Sequence, residues 1–383
     1  MVLRLSLAAN LSLLLLGASG CRGTATLLGA IVCQGIADPV ISDSADNMAF
    51  RGLDAGTRPR IRPGSYASST AGVHFLDPGD LGSHGYRYSW SEKNGIVYAC
   101  GAGHVDIAHV RKAADWTGFL AATTFESLKR EEIEFSFKLR EPSRYFVKLT
   151  YPENWERLAP KDKERIAHHV SIELGQYFAY VAATWHEILT WFGYRPKAFQ
   201  SEFPSAFSWE DVFSNLLGTH IAVLALEDAE HDFSESVTLA LDRELKNLGA
   251  QPAQTARRAA EKVRGLWFSR PLFFTIMQRR NFDVGLNDGL VTPWLVPSLP
   301  ECQGAQAQPL PIPKLDLLHE HGFSMKLEIE PREWEKDKIL RIVLPDAKKR
   351  GKRLEPAVDF PRIMDYIKKD AVRRYGPDVD DAG

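Results

Sequence analysis

The chain has 383 residues, enough for one large domain or two modest ones, and its 44% hydrophobic and 25% charged residues are an ordinary globular balance. The formal net charge of −2 argues against a general nucleic-acid binder, which presents a basic surface. Beyond the first twenty residues no segment is apolar for long enough to span a bilayer.

Residues 1–20 read as a secretory signal. Arg4 supplies a minimal positive start, and Leu5 to Leu16 form a short apolar run. Ala18-Ser19-Gly20-Cys21 resembles the lipobox of bacterial lipoproteins, which implies cleavage before Cys21 and lipidation of its thiol, with the membrane as partner. That resemblance, with Arg22 rather than Asp after the cysteine, favours the outer membrane where one exists. The competing expectation is a plain signal peptide or an uncleaved anchor. Cys33, Cys100 and Cys302 remain, an odd number with no CxxC, so they make no disulfide framework; export permits one bridge of unassigned connectivity.

Residues 21–60 are small and polar and are expected to be a tether, leaving 61–383 as a single domain. The run Gly95 to Cys100 reads as a buried strand. Gly101-Ala102-Gly103 breaks it, and a helix is expected from near His104 to Leu128, with Ile107, Val110, Ala114 and Phe119 at helical spacing. Residues 133–139 and 145–150 alternate like the arms of a hairpin around Glu141-Pro142-Ser143. A long helix follows from near Pro160, closed by Gly193, and another from an expected Ser208 cap to about Leu226. Ser234 is expected to cap a helix ending at Gly249, and residues 253–265 and 270–280 read as two more. Strands are expected at 290–296, 323–330 and 339–344, a Gln/Pro-rich linker at 303–313, a terminal helix at 360–374 and a frayed end. The fold class is therefore mainly α (α+β): a helical core with a β-hairpin and short C-terminal strands. There is no strand–helix alternation for a doubly wound sheet and no Gly-rich phosphate loop.

Residues 166–194 contain no Lys or Arg, yet hold Glu173, Glu187, His168, His169 and His186. His169, Glu173, Gln176, Tyr180, Ala183 and Glu187 share one narrow face, while Gly175, Ala179 and Ala182 form a small flank that another helix can approach closely. Enclosed carboxylates are costly unless paired, protonated or bound to metal. Glu173 and Glu187 stand roughly 21 Å apart along a helix, so they cannot share one ion. His186-Glu187 opens like a zinc-protease motif, but Thr190 replaces the second histidine, which rejects that class.

His104-x-Asp106-x-x-His109 places three ligand-type side chains in six positions at a helix start, a pattern suited to zinc, iron or manganese. The plainer reading is Asp106 as a helix cap and His104 as a loop residue. On the Ser208 helix, Asp211, Ser214, Asn215 and Gly218 share a face, with Gly218 open to a neighbour or ligand; the plainer reading is a polar outer face. From Ala198 to Asp242 there are nine acids and no Lys or Arg, and from Arg243 to Arg280 nine basic residues against two acids. Complementary packing of those helices explains this simply, and an acidic pocket for a cation explains it more sharply. No G-x-S-x-G elbow is present for a serine hydrolase.

At GAGHVDIAHVRKAADW, ATWHEILTWFGY, FSWEDVFSNLLGT and RRNFDVGLNDGLVTPWLVP the chain resembles an uncharacterised bacterial family, domain of unknown function 4056, over roughly residues 60 to 300. The resemblance implies an exported protein or lipoprotein and a shared core, and carries over no catalytic residue. The residues themselves suggest a lipid-anchored envelope protein with a metal-assisted hydrolase site for an ester, amide or phosphoester, on a small molecule or a polymer of the envelope. His104, Asp106 and His109 are the expected ligands, with Asp211 from the adjacent helix and Glu187 or Glu173 as ligand or general base. Two alternatives stand beside this: a non-catalytic envelope scaffold or binding lipoprotein, and an amidase using Cys100 with His104 or His169 as base.

Overall fold

The apolar run after Gly95 forms strand β1 (Ile96–Ala99), and the glycine turn sends the chain straight back as β2 (Gly103–Asp106), antiparallel to it with Tyr98 opposite His104. This computed structural model describes residues 50–62, 74–195, 201–269, 276–344 and 353–383. Residues 1–20, read from sequence as a secretory signal, and Cys21 and Cys33 lie outside them.

Asp106 ends β2 and caps helix α1 (Ile107–Lys129), its side chain accepting from the amides of Ala108 and His109. The helix therefore starts three residues later than the sequence suggests, and His104 stands on a strand. β3 (Glu134–Phe137) and β4 (Arg144–Thr150) form the expected hairpin, with Phe135 opposite Val147. Helix α2 (Pro160–Trp191) and helix α3 (Asp211–Leu226) then pack on α1. Close approach is built into both contacts. A Cβ on Gly175 would stand 2.6 Å from the Ala121 amide nitrogen, and one on Gly218 would collide with the Val110 carbonyl of α1. The small flank of α2 faces α1, and Gly218 serves a helix rather than a ligand.

Helix α4 (Phe233–Asn247) is capped by Asp232 rather than Ser234, the Asp232 carboxylate accepting from Glu235 N. β5 (Ala250–Gln251) returns to β1, and helix α5 (Ala253–Val263) follows. The helix expected over 270–280 is not found: β6 (Phe268–Ser269) pairs with β7 (Ile276–Met277), and 270–275 lie outside the described residues. β8 (Leu290–Val291) pairs with β9 (Leu310–Pro311) inside the expected linker. Helix α6 (Asp316–Glu320) leads into β10 (Ser324–Glu330), which joins the hairpin through β4.

Residues 336–343 form helix α7 (Lys336–Val343), not a strand. The alternation read there belongs equally to a helix whose buried face is Ile339, Leu340 and Val343. Helix α8 (Pro356–Tyr375) follows, and the end of the chain is tied down rather than frayed. Val379 accepts from Arg280 N at 2.7 Å, and Asp380 accepts from Phe282 N at 3.1 Å. At the other end Phe50 packs against Phe125 and His168, so the segment taken for the end of a tether lies on the core. Cys100 and Cys302 are joined by a disulfide with Cα atoms 5.1 Å apart. No helix among the described residues is long and apolar enough to cross a membrane.

A buried ionic network, not anticipated from sequence, fixes the segment before β1 to α1. Arg62 pairs with Asp115 and with Glu92, and His84 Nε2 lies 2.8 Å from Asp115 Oδ1. Burial, with Arg62 beside it, pushes His84 well below the ordinary histidine range.

Candidate metal centre

Three elements converge at the start of α1. Asp106 is its cap, His109 lies one turn in, and Asp211 is the first residue of α3, which Gly218 holds against α1. A tight turn before α3 sets Asp211 in place. Phe207 there adopts φ 54°, a left-handed conformation that a bulky side chain occupies only under constraint. The constraints are visible. Phe207 N donates to Glu187 Oε2 at 2.8 Å, Phe207 O accepts from Asn281 N at 3.0 Å, and Arg280 donates to Ala206 O. Ser208, expected as the cap of α3, is part of this turn, and the cap position falls to Glu210. Ser214 binds the two ends together by donating to Glu210 O and accepting from Asp106 N at 2.9 Å.

His109 Nδ1 lies 2.7 Å from Asp211 Oδ1 and 3.2 Å from Asp106 Oδ2. One ligand atom from each of Asp106, His109 and Asp211 falls within 4.8 Å of the others. Neither contact of Nδ1 has the alignment of a good hydrogen bond, although the atom is buried. For bonds of about 2.1 Å, a tetrahedral ion needs ligand atoms about 3.4 Å apart, so a small outward shift of the side chains would admit one. Burial alone would push His109 down; Asp211, with Asp106, outweighs it and the group is pushed up to about 10, Lys112 opposing.

Further ionisable groups surround the triad. Glu187 is buried on α2, and burial together with the Asp211 charge raises its pKa. Glu210 is pushed well above the ordinary carboxylate range by burial and by Asp211, and its Oε2 is buried with no hydrogen bond. Lys112, one turn beyond His109, is lowered by burial while the charges of Asp211, Glu187, Glu141 and Asp106 act against that. His186 Nδ1 lies 2.9 Å from Glu141 Oε1, and this pairing outweighs burial to raise the imidazole. A cavity of about 10 Å³ touches Glu187 and Asn215, room for about one water.

Of the residues singled out from sequence, Asp106, His109, Asp211 and Glu187 come together. His104 does not. Its Nδ1 lies 3.3 Å from Trp209 Nε1 and its Nε2 lies 3.4 Å from Ala256 O, so both ring nitrogens have protein partners in an aromatic pocket with Tyr98 and Phe75. Glu173 is also elsewhere, accepting from the amides of Leu317 and Leu318 at 2.8 Å each, where it anchors the start of α6. Cys100, as half of a disulfide, has no thiol for an amidase, and that alternative falls. Asp283 and Asp288 accept backbone amides of their own turn and strand, as turn residues do. The acidic and basic stretches meet in the Lys246–Asp242 pair within α4, while Arg264 pairs with Glu261 and Arg258 with Glu301, both outside the acidic stretch. Glu210 and Asp211 instead face α1 and α2. Sequence reading missed Lys112 and Glu141. The signal for Lys112 was its helical spacing from His109.

Residues 67–289 match the family described as Protein of unknown function (DUF4056), and the chain belongs to that family. No curated protein and no solved structure matches it. The matched span contains every residue of the centre.

Proposed function

We propose that this DUF4056 protein is a metal-dependent hydrolase of the bacterial envelope, exported and held to the membrane by a lipid on Cys21. One observation carries the catalytic part: Asp106, His109 and Asp211 place three ligand atoms within 4.8 Å in a buried pocket, with a fourth acid beside them. An Asp/His/Asp set of nitrogen and oxygen donors suits zinc, manganese or iron. A bound ion would supply Lewis-acid polarisation of an ester, amide or phosphoester. The chain's own residues provide the rest. Glu187, with its raised pKa, serves as general base and holds the proton taken from water; the Phe207 amide fixes its other oxygen. Glu210, buried with an unsatisfied oxygen, adds a further acid whose charge couples to Asp211 and Asp106. Lys112 offsets the negative charge of the acids. The Cys100–Cys302 disulfide supports the exported location, since such bridges persist in oxidising compartments.

A second reading has its own observation. The space at Glu187 admits about one water, not a substrate, so an ion there could serve only to lock α1, α2 and α3 in a scaffold or binding lipoprotein. The experiment is metal analysis of the purified protein, followed by hydrolysis assays with ester, amide and phosphoester panels on wild type, Asp211→Asn and Glu187→Gln. The hydrolase reading expects loss of metal and turnover in the first and loss of turnover with metal retained in the second. Bound metal with no turnover on any panel, and a lower melting temperature after chelation, would favour the scaffold.

A further inference from the structure

His109, Lys112, Trp116 and Phe119 follow one another on α1 at spacings of three, four and three residues, so one face of the helix leads outward from the triad. Beyond Lys112 this face becomes the wall of a cavity of about 310 Å³, room for roughly ten fragments the size of water at ~30 Å³ each. Six cationic residues line it, Arg58, Arg60, Arg62, Lys112, Lys138 and Arg140, and among the described residues no acid does. Trp116, Phe119 and Leu139 supply an apolar wall. Two of the cations are satisfied from behind: Glu92 pairs with Arg60 and Arg62, and Asp115 with Arg62. The other four have no carboxylate within ion-pair distance among the described residues, and the buried Nε of Arg60 has no hydrogen-bond partner. Lys112 faces the Trp116 ring at 5.4 Å. Positive charges gathered round a small concave space raise the local concentration of anions and repel one another until an anion arrives.

We infer that this cavity binds a small anionic ligand, a phosphate or carboxylate carried on an aromatic or aliphatic body, and, resting on the hydrolase reading, that this ligand is the substrate, held by the cavity with Lys112 between it and the triad. The anionic head meets Lys112, Lys138 and Arg140, while Trp116 and Phe119 cover the apolar body. Arg58 and Arg60 close the opposite side. An ester of such an anion therefore has a binding subsite next to the centre, in place of the space that Glu187 lacks.

The test uses the full mature chain and isothermal titration with 1-naphthyl phosphate, 1-naphthoate, inorganic phosphate and uncharged 1-naphthol, in the presence of a chelator. The two naphthyl anions should bind at least about tenfold more tightly than 1-naphthol, and inorganic phosphate more weakly than naphthyl phosphate, because charge and apolar wall both contribute. The surface pair Lys138→Glu/Arg140→Glu should weaken naphthyl phosphate by about tenfold or more, and Lys112→Met should do so independently. Equal binding of 1-naphthol and the anions, no binding by wild type, or unchanged affinity in the charge-reversed pair, which lies at the surface and needs no core repacking, would overturn the inference. Because the titration is free of metal, anion binding by wild type together with no turnover by metal-loaded wild type on any panel would sink the hydrolase reading and leave the binding site standing.

Discussion

Metal binding at the centre should be a competition with a proton. In the free protein His109 is pushed up to about 10, so at neutral pH its imidazole is protonated between Asp106 and Asp211. A metal ligand must be neutral imidazole. At about pH 7.5 the deficit of about 2.5 pH units costs about 3.4 kcal/mol, at 1.36 kcal/mol per unit, or roughly 300-fold in apparent affinity. The apparent dissociation constant for Zn²⁺ or Mn²⁺ should therefore fall about tenfold per unit between about pH 6.5 and 8.5, with about one proton released by His109 per ion bound. Calorimetric titration in buffers of differing ionisation enthalpy reads both quantities. His109→Gln should bind weakly and lose most of the slope. An affinity flat across that range, or binding with no proton release, would refute the assignment of His109 Nδ1 as a ligand.

Acid should unfold the protein partly through His104. Burial lowers it to about 4, so on acidification the unfolded chain takes up its proton first; stability is full above about 6.5 and is lost as pH falls towards 4, by about 2 kcal/mol at pH 5. Urea titrations at the two pH values check this, and His104→Gln should flatten the difference. Asp115→Asn leaves Arg62 and His84 short of their partner and should cost about 3–5 kcal/mol in the same assay. Gly218→Ala drives a methyl group into the Val110 carbonyl; it should cost about 1–3 kcal/mol and weaken metal binding with it, because α3 carries Asp211. Cys100→Ser/Cys302→Ser opens a loop spanning a separation of 202 residues and should lower stability by up to about 5 kcal/mol, read as a reduced melting temperature.

The helical frame was legible because its signals are local. The long run of α2 without Lys or Arg, the Gly193 stop and the Gly175 flank follow from composition and from the helical repeat alone. The grouping of Asp106, His109 and Asp211, a set that could hold a metal ion, was legible for the same reason, since two lie one turn apart and the third begins the next polar helix face. His104 misled because it shares a sequence motif with Asp106 but belongs to a strand, where Trp209 and the Ala256 carbonyl claim its nitrogens. Glu173 misled because its partners, the amides of Leu317 and Leu318, are 144 and 145 residues away. The 339–344 segment shows how a short apolar run can satisfy either period; packing decided for the helix. The cationic cavity draws on residues 58–62, 112–119 and 138–140, and no local pattern announces such a gathering.

The most direct test of the metal centre is anomalous diffraction from crystals of the protein grown with zinc or manganese, compared with Asp211→Asn. A single peak within about 2.0–2.2 Å of His109 Nδ1 and of a carboxylate oxygen from each of Asp106 and Asp211, absent in the variant, is the expected result. Clear density for those three side chains with no peak among them, at metal concentrations that load ordinary zinc sites, would contradict it.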